Sequence, residues 1–194
     1  MPNVLKPTLF GNPILREQAT LLTKGSIQSE EVQNLLVDMW FTLETKKYGV
    51  GLAAPQIGVG VSLVVIGIKP TPSRPDLETV KMALFNPEIV ATYGSRRKMW
   101  EGCISFGVGN NFPYAQCLRW QKIRVKYLDE AGRRCELDFD GILAHVLQHE
   151  IDHVNGILFV DRVRDPTSYM MVSEYKKRIL PATSRLGRKP KSEG

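Results

Sequence analysis

Residues 141–155 constrain this chain more than any other stretch. Asp140 precedes them and Gly156 follows, residue types that start and stop helices. Between these ends lie His145, His149 and His153, all three histidines of the sequence, four residues apart. On a helix that spacing lines side chains along one face. The segment His149-Glu150-Ile151-Asp152-His153 carries the pattern H-E-x-x-H. Two imidazoles one turn apart can reach a single metal ion, and the glutamate between them leans toward water at an open coordination position. His145 and His153 are about 12 Å apart along such a helix, too far to share an ion. The ligand pair is therefore His145/His149 or His149/His153, and only the second encloses a glutamate.

A catalytic ion needs a third protein ligand. Glu174, the one glutamate between this helix and the basic end of the chain, is one candidate. The other is Cys103, upstream in Glu101-Gly102-Cys103-Ile104-Ser105.

The rest of the sequence predicts an α+β domain, short antiparallel strands packed around a central metal-binding helix. A first helix is expected over Glu30 to Lys46. Ser29 stands at its N-cap, and Val32, Leu35, Leu36, Met39, Trp40 and Leu43 recur at helical spacing. Val61 to Ile68 reads as a buried strand, and the proline-rich Lys69 to Pro75 as a loop. Met82–Phe85 and Ile89–Tyr93 read as two short strands parted by Asn86-Pro87. Ile123–Leu128 and Cys135–Phe139 read as a hairpin about Asp129 to Gly132. Thr167 to Leu180 is expected to be a third helix, followed by a disordered end. The catalytic unit is thus residues 1–166, and residues 167–194 form a helix and basic tail.

Composition narrows the class. The chain is 43% hydrophobic and 24% charged, ordinary for a soluble globular protein. No apolar run is long enough to span a bilayer and no signal pattern opens the chain, so a cytoplasmic location and no membrane partner are expected. Three widely spaced cysteines do not form a disulfide framework, and Cys117 and Cys135 read as structural. From Lys176 onward seven basic residues face Glu193 alone, a surplus that equals the net charge of +6. The charge belongs to a solvated tail, with loose attraction to ribosomal RNA as its sharper use.

Three separated motifs resemble the peptide deformylase family: Gly49-Val50-Gly51-Leu52-Ala53-Ala54-Pro55-Gln56, then Glu101-Gly102-Cys103-Ile104-Ser105, then Gln148-His149-Glu150-Ile151-Asp152-His153. The resemblance implies that Cys103, His149 and His153 hold the metal, with water as the fourth ligand. The ion it implies is Fe²⁺, which Zn²⁺, Ni²⁺ or Co²⁺ can replace. It implies Glu150 as general base and then general acid. Gln56 and the backbone N–H of Ile104 would bind the developing oxyanion, and Gly51 would contact the substrate backbone. The implied reaction removes the formyl group from the formyl-methionine of N-formylated nascent peptides through a metal-bound hydroxide, releasing formate. Asp152 is a candidate partner for a ligand histidine or a salt bridge.

The sequence departs from the family pattern in two places. After Ser105 it runs Phe106-Gly107-Val108-Gly109-Asn110-Asn111-Phe112-Pro113-Tyr114 and has no arginine before Arg119. Asn110 or Asn111 would then give the substrate neutral hydrogen bonds in place of charged ones. His145 replaces an apolar residue near the methionine pocket, which predicts a smaller, more polar pocket and an altered acyl or peptide preference. Two other classes stand beside this reading: an H-E-x-x-H metallopeptidase using Glu174, and a non-catalytic ribosome-associated protein acting through its tail.

Overall fold

In chain order the elements are α1 (Lys24–Ile27), α2 (Glu30–Thr45), β1 (Gly51–Ala53), β2 (Leu63–Ile68), β3 (Val80–Gly102), β4 (Pro113–Leu128), β5 (Arg134–Asp140), α3 (Gly141–Val154), β6 (Met170–Met171) and α4 (Val172–Arg178). They come from a computed structural model that describes residues 2–45, 49–71, 77–107, 109 and 111–180. The strands form one antiparallel sheet in the order β1-β2-β3-β4-β5, and β6 pairs with β4.

Strand β2 explains how two helices share this sheet. Val64, Ile66 and Ile68 join Leu84, Ile123 and Val125 in a core with Ala144, Leu147 and Ile151 of α3. Leu63 and Val65, at the alternate positions, join Ala83 and Phe85 in a second core with Val32, Leu36, Met39 and Leu43 of α2. A strand covered on both faces needs apolar residues at both phases of its period-two pattern. That is why Leu63–Ile68 is nearly continuously apolar.

Two of the strands are far longer than the short ones expected. Asn86-Pro87 does not end a strand; β3 runs through it for 23 residues. Asn86 takes a positive φ of 52°, and the register against β4 shifts between Phe85 and Glu88. Asparagine tolerates that region better than most residues, and a bulge absorbs the break in pairing. Its side chain fixes the bulge, accepting from Leu22 N at 2.9 Å and donating to Leu22 O at 2.7 Å. β4 likewise extends upstream of the expected Ile123–Leu128 to start at Pro113.

Helix α3 begins and ends close to its expected bounds, but Asp140 makes no side-chain capping bond. Its end behaves as expected, with Gly156 at φ 70° after the Asn155 cap.

The third helix is shorter than expected. Pro166–Ser168 is a 3-10 turn, Met170–Met171 pairs with Pro113 and Tyr114, and only Val172–Arg178 is α-helical. Strand pairing uses the backbone groups that a continuous helix would have needed. Tyr175 of α4 then stacks on Tyr114 at 4.5 Å and leans on Trp100 at 5.5 Å, docking this segment on the sheet. The end of the first expected helix at Lys46, most of the Lys69–Pro75 loop, Asn110 and the expected disordered tail lie outside the described residues. Among the described residues no helix is long and apolar enough to cross a membrane.

Candidate metal centre and active site

The site forms where the end of β3 meets the buried face of α3. Cys103 directly follows β3 and opens the 3-10 turn Ile104–Phe106. His149 and His153 stand one turn apart on α3, with ring centroids 5.0 Å apart. Ligand atoms of Cys103, His149 and His153 all lie within 4.8 Å of one another. Cys103 Sγ is 3.3 Å from His153 Nε2. His149 Nδ1 is engaged by Glu101 Oε2 at 2.8 Å, which leaves Nε2 as the ring nitrogen available to a metal.

The donors fit a metal by their chemistry and by what surrounds them. One sulfur and two imidazole nitrogens are the borderline-soft set that divalent first-row ions accept. Burial would raise the Cys103 thiol, but the neighbouring His153 and His149 outweigh it and hold the thiol well below its usual range, favouring the thiolate a metal needs. Among the described residues Glu150 Oε2 is buried without a hydrogen-bond partner, an arrangement suited to a water at the metal.

Glu150 can sit there because residue 51 is glycine. A Cβ on Gly51 would fall 2.5 Å from Glu150 Oε1, inside any tolerable contact. Burial pushes the Glu150 carboxyl up to about 7, against the lowering pull of His149 and His153. Gln56, in the turn after β1, accepts from Ala53 N at 2.7 Å and donates Nε2 to Cys103 Sγ at 3.2 Å. Ile104 N opens the turn beside Cys103, a position whose N–H has no partner within the turn itself.

Glu101 joins the strand to the helix. Each of its oxygens takes one arginine nitrogen and one imidazole: Oε1 binds Arg119 Nε at 2.6 Å and His145 Nε2 at 3.0 Å, and Oε2 binds Arg119 Nη2 at 2.9 Å and His149 Nδ1 at 2.8 Å. Burial would raise this carboxyl, but the bonds from Arg119, His145 and His149 hold it well below the usual range. Arg119 Nη1 continues to Asp152 Oδ2 at 2.6 Å, and Arg162 Nη2 grips Asp152 Oδ1 at 2.6 Å. A row of charges of alternating sign thus runs behind the histidines.

The arginine that sequence reasoning left without a role is the one holding Glu101. Side chains alternate along β4, so Ala115, Cys117 and Arg119 all turn inward. An arginine in phase with buried small residues was the available signal. Arg162, which follows the H-E-x-x-H helix, had no comparable signal. His145 lies against Glu101 with its side chain 14% exposed. Glu174 does not join the cluster; its carboxylate pairs with Lys177 and Arg178 on α4. Cys117 is buried and donates to Phe159 O at 3.3 Å, and Cys135 is half-buried, both as free thiols.

The family model described as polypeptide deformylase matches residues 5–168. The chain belongs to the polypeptide deformylase family. Peptide deformylase of Thermomicrobium roseum is 38% identical over 174 residues, covering 90% of this chain and 94% of that relative. Peptide deformylase of Treponema pallidum is 44% identical over 154 residues, covering 79% of this chain and 85% of that relative. Among solved structures, the class I type b deformylase of Acinetobacter baumannii bound to Met-Ala-Ser superimposes with a TM-score of 0.76 at 32% identity, covering 84% of this chain and all of that one. This deformylase is therefore a metal-dependent hydrolase of N-terminal processing, with the cysteine and two histidines clustered in its interior.

Proposed function

We propose that this chain releases formate from the formyl-methionine end of new polypeptides with Cys103, His149 and His153 as its metal ligands and Glu150 as its proton carrier. The meeting of one sulfur and two imidazoles within 4.8 Å, beside a buried carboxylate, carries that reading. Fe²⁺ is the ion we assign, with Zn²⁺, Ni²⁺ and Co²⁺ as working substitutes. A divalent ion held there supplies Lewis acidity, which lowers the pKa of water and polarises the formyl carbonyl.

Glu150 takes a proton from the attacking water and returns it to the amine nitrogen as the C–N bond breaks, so no net proton stays on the enzyme. A carboxyl held near 7 can do both, because general acid–base catalysis works best with a group poised near the working pH. Gln56 and the Ile104 N–H stabilise the oxygen that gains charge. One hydrogen of Gln56 Nε2 faces Cys103 and leaves the other for substrate. Each such donor is worth roughly 10²–10³ in rate.

Gly51 is the proposed contact for the peptide backbone. It lies on β1, the terminal strand of the sheet, whose outer edge can pair with an extended peptide. His145 and Asn110 complete the proposed substrate contacts. The peptide bound in the Acinetobacter baumannii relative, Met-Ala-Ser, begins with methionine, in keeping with this substrate class. The family match over residues 5–168 supports a catalytic unit of residues 1–166. The basic end beyond it is assigned a loose contact with ribosomal RNA, and the cytoplasm, where new polypeptides emerge, is the location we assign.

Formate release from a formyl-Met tripeptide by protein purified without oxygen tests the reading. Glu150→Gln should keep the metal and lose formate release. Full activity in that variant would remove Glu150 from the mechanism.

A further inference from the structure

The segment Thr8–Phe10 ties together the two turns that carry the proposed oxyanion donors. Thr8 N donates to Gln56 O at 2.7 Å, and Phe10 N donates to Ser105 O at 2.7 Å. Gln56 belongs to the turn after β1, whereas Ser105 belongs to the turn after β3, so the two carbonyls come from separate strands. Two residues of extended chain span roughly 7 Å, which gives the link between these turns a fixed reach.

The strap is held at both ends. Upstream, Asn3 N bonds Asp38 Oδ1 at 2.7 Å and Leu5 N bonds Thr42 Oγ1 at 2.8 Å, fastening it to α2. Downstream, Phe10 stacks on Phe106 at 4.7 Å and lies beneath Arg16, which pairs with Asp161. Phe106 in turn meets Phe159 edge-on at 4.9 Å. Phe10 nonetheless stays 55% exposed, so burial of its ring does not account for where it sits. Its backbone bond and its stack on the Cys103 turn do.

We propose that Thr8 and Phe10 are positioning residues, whose backbone N–H groups set the separation between the Gln56 side chain and the Ile104 amide. This rests on the reading of those two groups as oxyanion donors. Among the described hydrogen bonds and ring contacts, Thr8 and Phe10 meet none of Cys103, His149 and His153, so loss of the strap acts on turnover and leaves metal affinity and peptide binding in place.

A double-mutant cycle in the full-length, metal-loaded protein tests this. Thr8→Pro removes one N–H and should lower kcat about tenfold, with KM and metal content within about twofold, since a misplaced donor is lost only in the transition state. Thr8→Val keeps the donor and should restore kcat to within about twofold. In a Gln56→Ala background Thr8→Pro should cost less than about twofold more, because the two changes act through one group. In the metal-free protein Thr8→Pro should also speed hydrogen exchange at Ala53 N, which Gln56 Oε1 holds.

An undiminished loss in the Gln56→Ala background, or a loss confined to KM, overturns the proposal. If Gln56→Ala itself leaves kcat unchanged, the oxyanion reading of Gln56 fails instead, and the strap's action through it fails too. Should Thr8→Pro not fold, exchanging Phe10 for its α-hydroxy analogue phenyllactate removes the other N–H and keeps the ring. That exchange should lower kcat roughly three- to tenfold at constant KM, the effect of one weakened donor. Unchanged kcat there overturns the proposal.

Discussion

Arg119 and Glu101 meet through two parallel hydrogen bonds of 2.6 and 2.9 Å in the interior, each residue 4% exposed. Removing one partner of a buried ion pair strands the other charge and costs about 3–5 kcal/mol. Arg119→Met should therefore lower the unfolding free energy by about that much in urea titration of the metal-free protein. Arg119→Lys should recover only part of it, because an ammonium cannot span both carboxylate oxygens. Loss of less than about 1 kcal/mol in Arg119→Met would mean that the pair contributes little.

The helix bearing the histidines was legible because its period, its end residues and its chemistry coincide over residues 141–155. The third ligand was not legible from spacing. Cys103 and Glu174 stood open as alternatives until the resemblance favoured Cys103, and the fold brings Cys103 to the histidines while Glu174 pairs along α4. The length of β3 is hidden at Asn86-Pro87, where a local turn signal lost to tertiary pairing and became a bulge. Arg119 was missed for a related reason. Its role depends on which face of β4 it occupies, and the alternation expected over Ile123–Leu128 begins downstream of it.

Gly51 and Glu150 make a steric prediction. Gly51→Ala puts a methyl group where the Glu150 carboxylate lies. The carboxylate must move, and misplacement on the ångström scale can cost about 10² in rate. Steady-state kinetics should show kcat falling about 100-fold with metal content retained. Wild-type kcat would show that Glu150 can work from elsewhere.

The pH dependence of stability in the metal-free protein follows from Glu150. Its carboxyl, pushed from 4.5 up to about 7, makes the fold prefer the neutral form. This group's contribution is thus fully present below about 4.5 and is lost as pH rises through about 7. Glu150→Gln removes the dependence. Its stability relative to the parent should grow between about pH 5 and 8 by an amount on the order of 3 kcal/mol, read by denaturant titration at each pH. A difference that does not change with pH would contradict this.

His145 predicts a shift in substrate preference. With an imidazole against Glu101, formyl peptides with a polar first residue should be less disfavoured than in the His145→Leu variant. The ratio of kcat/KM for formyl-Met over formyl-Ser tripeptides should rise about tenfold in that variant, the scale of one polar-to-apolar change in a pocket. An unchanged ratio would confine His145 to supporting Glu101.

Cys103, His149 and His153 are proposed to share one ion. X-ray absorption at the metal edge of the reconstituted zinc protein tests it directly. One sulfur at about 2.3 Å and two imidazole nitrogens at about 2.0–2.1 Å are expected, with the sulfur lost in Cys103→Ala. A coordination shell without sulfur in the parent protein would contradict it.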